Sequence, residues 1–149
     1  MKETSLASRE VAKDVVIFRG HPMVRSLHPT TIEVTTEENL TERGDCIVGV
    51  GASKGCAQLG PWVKKGLRRA ESKVTARFVV GPFKFEVRAA GDPRLQLSHP
   101  HDIVIRKSEF ASERTLAVHA DKASRDFPRD MVRLLRNPST TGTLEIEVA

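Results

Sequence analysis

The chain has 149 residues, enough for one domain that buries about 68–70% of its unfolded surface. Its 24 Lys and Arg against 19 Asp and Glu leave a net charge of +5, which permits contact with phosphates without demanding it. No apolar run approaches the ~20 residues of a membrane span, and residues 1–13 hold no hydrophobic segment of the secretory kind. A cytoplasmic protein with a short N-terminal lead-in over 1–13 is the expectation.

Residues 14–149 read as a single domain. A first strand at 15–18 ends at Gly20-His21-Pro22, where glycine and proline punctuate a turn. Strands follow at 31–35 and 46–50. Ser53 stands where a helix N-cap is wanted, Pro61 suits the start of a second helical turn, and Trp62, Val63 and Leu67 lie at helical spacing. A strand at 74–80 follows. Then Phe83-x-Phe85-x-Val87 alternates with the period of two that marks a strand, and the series recurs. Gly91-Asp92-Pro93 is a turn, 102–106 and 115–118 are strands, and Asp121 is a second N-cap. Met131, Val132, Leu134 and Leu135 form an apolar helical stripe after Pro128, and 143–148 is the last strand.

The recurrence extends to residue identity. At a shift of 71, Gly20, Pro22, His28, Pro29 and Ile32 fall on Gly91, Pro93, His99, Pro100 and Ile103. At a shift of 68, Val50, Ala52, Lys54, Leu67 and Arg68 fall on Val118, Ala120, Lys122, Leu135 and Arg136. The change of shift is one loop-sized difference, placed where length change is cheapest. The expected fold is therefore α+β and strand-rich. It comprises two repeats, about 14–80 and 83–148, each β-β-β-α-β, related by a pseudo-twofold. With two interrupted helices, the unit suggests a closed or nearly closed barrel, which would leave no free sheet edge.

Few motifs point to chemistry. The glycines of 48–55 follow a strand but lack both the βαβ context of a dinucleotide site and the GxxxxGK[ST] of a P-loop. Lys54 and Lys122 each follow an expected N-cap, where unpaired backbone N–H groups favour an anion. His21, Asp45 and Cys46 have no counterpart of their kind in the second repeat. With His28 they are candidates for a nucleophile and its base, or for metal ligation, although their spacing is diagnostic of neither. Cys46 and Cys56, without a CxxC pair, are weak evidence for metal and read as two small buried hydrophobes. Four amide residues, no Tyr and 29% charged residues fit a thermophile.

Several short stretches together resemble one family, the archaeal domain-of-unknown-function family 371. They are Gly20-His21-Pro22, His28 with Thr30-Thr31, Gly44-Asp45-Cys46-Ile47, Arg106-Lys107-Ser108, Arg114-Thr115-Leu116 and Ala120-Asp121-Lys122-Ala123. The resemblance implies an archaeal cytosolic protein of one domain and carries no activity with it. It adds Arg106, Lys107 and Arg114 to the ligand-binding candidates.

Two basic features remain. Lys64, Lys65, Arg68, Arg69, Lys73 and Arg77 have only Glu71 among them and form the stronger nucleic-acid candidate. Arg125, Arg129, Arg133 and Arg136 form a helical stripe that Asp121, Asp126 and Asp130 are spaced to neutralise. The expected function is a non-enzymatic module that binds RNA or a phosphate-bearing ligand. The alternative is a small metal-dependent or Cys/His enzyme using His21, His28, Asp45 and Cys46. No cofactor or metal follows from the sequence.

Overall fold

The structure, a computed structural model, describes residues 11–40 and 44–149. In chain order these form β1 (Ala12–Arg19), β2 (Thr31–Thr35), β3 (Ile47–Gly49), α1 (Pro61–Leu67), β4 (Lys73–Val80), β5 (Phe83–Ala90), β6 (Asp102–Arg106), β7 (Thr115–Ala117), α2 (Arg129–Leu135) and β8 (Thr141–Val148). Most of the 1–13 lead-in lies outside the described residues.

The alternation of β4 and β8 builds the centre of the first sheet. Val74, Ala76, Phe78 and Val80 point inward from one strand, and Leu144, Ile146 and Val148 from its antiparallel neighbour. This sheet runs β1-β8-β4-β5 and is antiparallel throughout. The second runs β3-β2-β6-β7, antiparallel where β2 meets β6 and parallel at both flanks. Ile32 and Val34 of β2 and Ile103 and Ile105 of β6 turn to the shared core. There Phe78 lies between Phe18 and Phe127, with ring centroids 6.4 and 5.1 Å away. Each buried phenyl contributes about 1.5–3 kcal/mol of transfer free energy.

Exchanging β1 with β5, β2 with β6, β3 with β7 and β4 with β8 reverses each strand order and leaves it unchanged. Backbone bonds follow the same exchange. The Leu27 N–H donates to Asp45 O and the Ser98 N–H to Glu113 O, while Ser26 and Leu97 both take a positive φ.

The closed or nearly closed barrel expected from the sequence does not form. Among the described residues, the two sheets are joined edge to edge by isolated bridges rather than a continuous ladder, Arg19 with Val50 and Ala90 with Val118. Strands β3 and β7 are three residues long, too short to extend a ladder along the eight-residue β1 and β5. The outer edges are covered by side chains and turns instead, which is the other way to protect a sheet edge. Ser53 exchanges bonds with the Ile17 backbone through its N–H and Oγ, and Asp121 does the same with Arg88.

That edge duty also removes Ser53 and Asp121 from the N-cap positions assigned to them. Each chain segment runs on through a 3-10 turn, Cys56–Gln58 or Ser124–Asp126, before the helix starts at Pro61 or Arg129.

Candidate functional site

The outward face of the second sheet is polar where the inward face is apolar. Alternation puts Thr31, Glu33 and Thr35 of β2 on this face, beside Asp102, Val104 and Arg106 of β6, with Glu33 directly opposite Val104. Val104 is buried yet stands apart from the apolar core. The parallel flanks add one residue each. The Glu33 N–H donates to Cys46 O at 2.9 Å, and the Val104 N–H to Arg114 O at 2.9 Å. Cys46 and Arg114 thus occupy matching places on either side of the central strand pair.

Glu33 is only 6% exposed. Its Oε1 accepts from the Cys46 thiol at 3.5 Å, and its Oε2 lies 3.9 Å from Arg114 Nη1. That same nitrogen donates to Asp102 Oδ2 at 2.9 Å. Burial, and then the charge of Asp102, push the Glu33 carboxyl up to about 7, against the opposing pull of Arg114. Burial and the Glu33 charge push the Cys46 thiol up to about 12, so it is a protonated donor near neutrality and a poor nucleophile. Burial alone would lower Arg114, but its hydrogen bond to Asp102 and the charge of Glu33 raise it.

Arg106 completes the face. Its Nε donates to Thr115 Oγ1 at 2.8 Å and its Nη2 to Ser112 Oγ at 3.3 Å, and its guanidinium lies 5.0 Å from the centre of the Phe110 ring. All these partners are neutral, and among the described residues no carboxylate pairs with it. Burial, followed by the charge of Arg114, lowers the pKa of Arg106. The face therefore holds two neighbouring guanidiniums, a carboxyl that titrates near neutrality, a carboxylate, a thiol and hydroxyls. Such a set can hold an anion and exchange a proton with it.

Of the residues singled out in the sequence, Cys46, Arg106 and Arg114 meet here. His28 and Asp45 lie at the margin. His28 Nδ1 accepts from the Thr30 and Thr31 N–H groups, and Asp45 O accepts from Leu27 and His28. His99, matched to His28, makes the same turn, with its Nδ1 accepting from the Asp102 N–H at 2.9 Å and its Nε2 3.9 Å from Asp102 Oδ2. Lys107 joins through its backbone, its N–H donating to Thr30 O. His21 sits elsewhere, its Nδ1 accepting from the Met23 N–H within its own turn. Among the described residues no group of three or more His, Cys, Asp or Glu is placed to hold a metal ion.

The lysines are tied down. Lys54 Nζ pairs with Asp14 at 2.6 Å, and Lys122 Nζ donates to Glu86 O at 2.6 Å. Lys64 donates to Ala57 O, Lys65 lies over Trp62, and Arg68 donates to Leu95 O and Gln96 O. Arg77 stands on the outer face of the first sheet between Glu145, Glu147 and Glu86, while Arg69 and Lys73 are exposed.

Sequence reasoning missed Glu33 and Asp102. The signal was present in Thr31-Ile32-Glu33-Val34-Thr35, where polar residues alternate with core residues, and more weakly in Asp102-Ile103-Val104-Ile105-Arg106, where Val104 interrupts the polar positions. In an outer strand that pattern means solvent; here the flanking strands turn it into a buried polar face.

The sequence is 36% identical over 122 residues to "Uncharacterized protein MJ0206" of the archaeon Methanocaldococcus jannaschii, covering 82% of this chain and 90% of that protein. No helix among the described residues is long and apolar enough to cross a membrane. The model of the family described as "Domain of unknown function (DUF371)" matches residues 16–149, and the chain belongs to that family.

Proposed function

We propose that the chain binds a phosphate-bearing ligand on the outward face of the second sheet. Arg106 and Arg114 hold the anion, and Glu33 gives or takes a proton beside it. The observation that carries this reading is Arg106, a partly buried guanidinium bonded to hydroxyls and, among the described residues, to no carboxylate, next to a second guanidinium. An anion arriving there relieves the repulsion between the two cations, and guanidinium groups match phosphate geometry through two-pronged hydrogen bonds. Residues 14–80 and 83–148 are read as copies of one unit, supported by the exchangeable strand orders. The site then lies where the copies meet, and the Cys46 and Arg114 positions have diverged.

Calorimetric titration with pyrophosphate and with a nucleoside monophosphate tests the reading. Wild type binds, Arg106→Lys weakens binding at least about tenfold by removing the two-pronged geometry, and Lys54→Ala changes nothing. Failure of every phosphate compound to bind, or equal loss in Lys54→Ala, overturns it.

A second reading follows from the Glu33 carboxyl itself, since a group titrating near 7 suits general acid–base catalysis. In that reading Glu33 replaces Cys46 as the working group of the enzyme alternative, because a thiol held near 12 is not a thiolate nucleophile. Turnover of the bound ligand, abolished by Glu33→Gln with binding retained, distinguishes it from binding alone.

A further inference from the structure

We propose that the ligand of the arginine face is a nucleotide, with its phosphate on Arg106 and Arg114 and its base stacked on the exposed ring of Phe110. The inference rests on the anion-binding reading of that face and adds the part of the ligand that is not phosphate. Of the six phenylalanines, Phe18, Phe78, Phe85 and Phe127 are buried and Phe83 is partly buried. Phe110 stands 60% exposed, in the connection from β6 to β7, directly beside Arg106.

One hydroxyl sets the ring and the guanidinium relative to each other. Thr115, fully buried on β7, accepts from Arg106 Nε through its Oγ1 at 2.8 Å, and the same Oγ1 donates to Phe110 O at 3.3 Å. The Phe110 N–H donates to Ser108 Oγ at 3.3 Å, and the carbonyl before it, Glu109 O, accepts from Arg94 Nη2 at 2.9 Å. The backbone is thus pinned on both sides of the ring, so the phenyl is presented outward by a fixed connection. The Arg106 guanidinium lies 5.0 Å from the ring centre and covers one side of it. The exposed remainder is a flat apolar surface at the edge of the anion site. In the connection from β2 to β3, the counterpart under the exchange of strands, residues 36–46 include no aromatic residue. The ring is therefore not a by-product of the strand arrangement.

Phosphate compounds divide by what they offer such a surface. Inorganic phosphates and sugar phosphates have nothing to stack. A nucleotide carries an aromatic base one sugar away from its phosphate, and every base has a π-face, so an aromatic side chain selects for a base without choosing among bases. Guanidiniums for the phosphate and a phenyl for the base are the two elements that nucleotide recognition needs. Trp62, on α1 with Lys65 over its ring, is an exposed aromatic and cation pair in a different element, and serves as the control.

Calorimetric titration with adenosine 5′-monophosphate and with ribose 5-phosphate tests the proposal, because the two share phosphate and sugar and differ in the base. Wild type is expected to bind the monophosphate at least about fivefold more tightly. Phe110→Ala removes that advantage and leaves the ribose 5-phosphate affinity unchanged. Phe110→Trp keeps the advantage, and Trp62→Ala changes neither affinity. Equal affinities in wild type overturn the nucleotide assignment while the anion site stands, whereas no binding of either compound overturns the anion site itself. Loss of both affinities in Phe110→Ala also overturns the assignment, since the ring then only positions Arg106. A 5′-phosphorylated oligoadenylate identifies the source of the nucleotide. Binding at least as tight as that of the monophosphate supports the end of a nucleic-acid chain, and weaker binding supports a free nucleotide, with dependence on Phe110 required in both cases.

Discussion

Arg114 Nη1 stands 3.9 Å from Glu33 Oε2, yet Glu33 is not held ionised by it, because Arg114 gives its short contact to Asp102 instead. The buried carboxyl is left with a cation at arm's length, a negative neighbour and a thiol donor, and it titrates near 7.

Glu33 makes stability depend on pH with a definite sign. The folded chain holds this proton up to about 7, against 4.5 for an unperturbed glutamate. Its contribution is complete below pH 4.5, is lost as pH rises toward 7, and is flat above that. Glu33→Gln keeps the shape and abolishes the ionisation. Denaturant melts should show the variant more stable than wild type at pH 8, by up to about 3 kcal/mol, with the difference closing toward pH 4.5. A difference constant across that range contradicts the raised carboxyl.

Arg114→Ala should act in the opposite sense. It leaves Asp102 and Glu33 facing each other without the cation that bridges them. Half-exposure of Arg114 keeps the loss to about 1–2 kcal/mol at pH 8. The loss should shrink at pH 5, where Glu33 carries a proton, and Asp102→Asn in the same chain should restore most of it. Melts of the single and double variants at the two pH values form the cycle that measures this.

The strands were legible because period-two alternation survives in 74–80, 83–87 and 143–148, and the turns because glycine and proline mark them. The helix starts were not, since Ser53 and Asp121 have the chemistry of caps but spend their hydrogen bonds on the edges of β1 and β5. Closure failed for a related reason: residue identity does not show that β3 and β7 end after three residues. Cys46, Arg106 and Arg114 were within reach through the motifs that contain them. Glu33 was not. Its meaning depends on parallel pairing between β2 and β3, and no local pattern separates that from an ordinary half-exposed strand.

Both thiols should be sluggish. Cys46 and Cys56 are each pushed up to about 12 from 9.0, with burial as the leading cause. Three units lower the thiolate fraction near neutrality by about 10³-fold. Alkylation at pH 8, followed by mass spectrometry, should be far slower for the native chain than for the denatured one. Modification of Cys46 at the rate of a free thiol removes the buried description of the site.

The last prediction concerns how the halves hold each other. The turn at Gly20 meets the end of α2, and the turn at Gly91 meets the end of α1. The His21 N–H donates to Leu135 O at 2.8 Å and the Asp92 N–H to Leu67 O at 2.9 Å, so each turn satisfies a carbonyl at a helix C-terminus in the other half. A Cβ on Gly20 would lie 2.4 Å from both Leu135 O and Asn137 O, and one on Gly91 2.1 Å from Ser72 Oγ and 2.3 Å from Leu67 O. Backbone oxygens cannot swing aside as a side chain can. Gly20→Ala and Gly91→Ala should therefore each cost about 2–4 kcal/mol, in the range reserved for steric conflict and lost buried bonds. Gly60 is the control. A Cβ there meets nothing nearer than 3.6 Å, and its φ of −59° and ψ of 147° suit the residue before a proline. Gly60→Ala should leave stability unchanged or raise it by about 0.4–1 kcal/mol, through the unfolded chain. Similar losses at 20 and 91 with none at 60, read by urea melts, are what equivalent turns in the two halves require; a neutral Gly91→Ala beside a damaging Gly20→Ala would show that only one turn is locked.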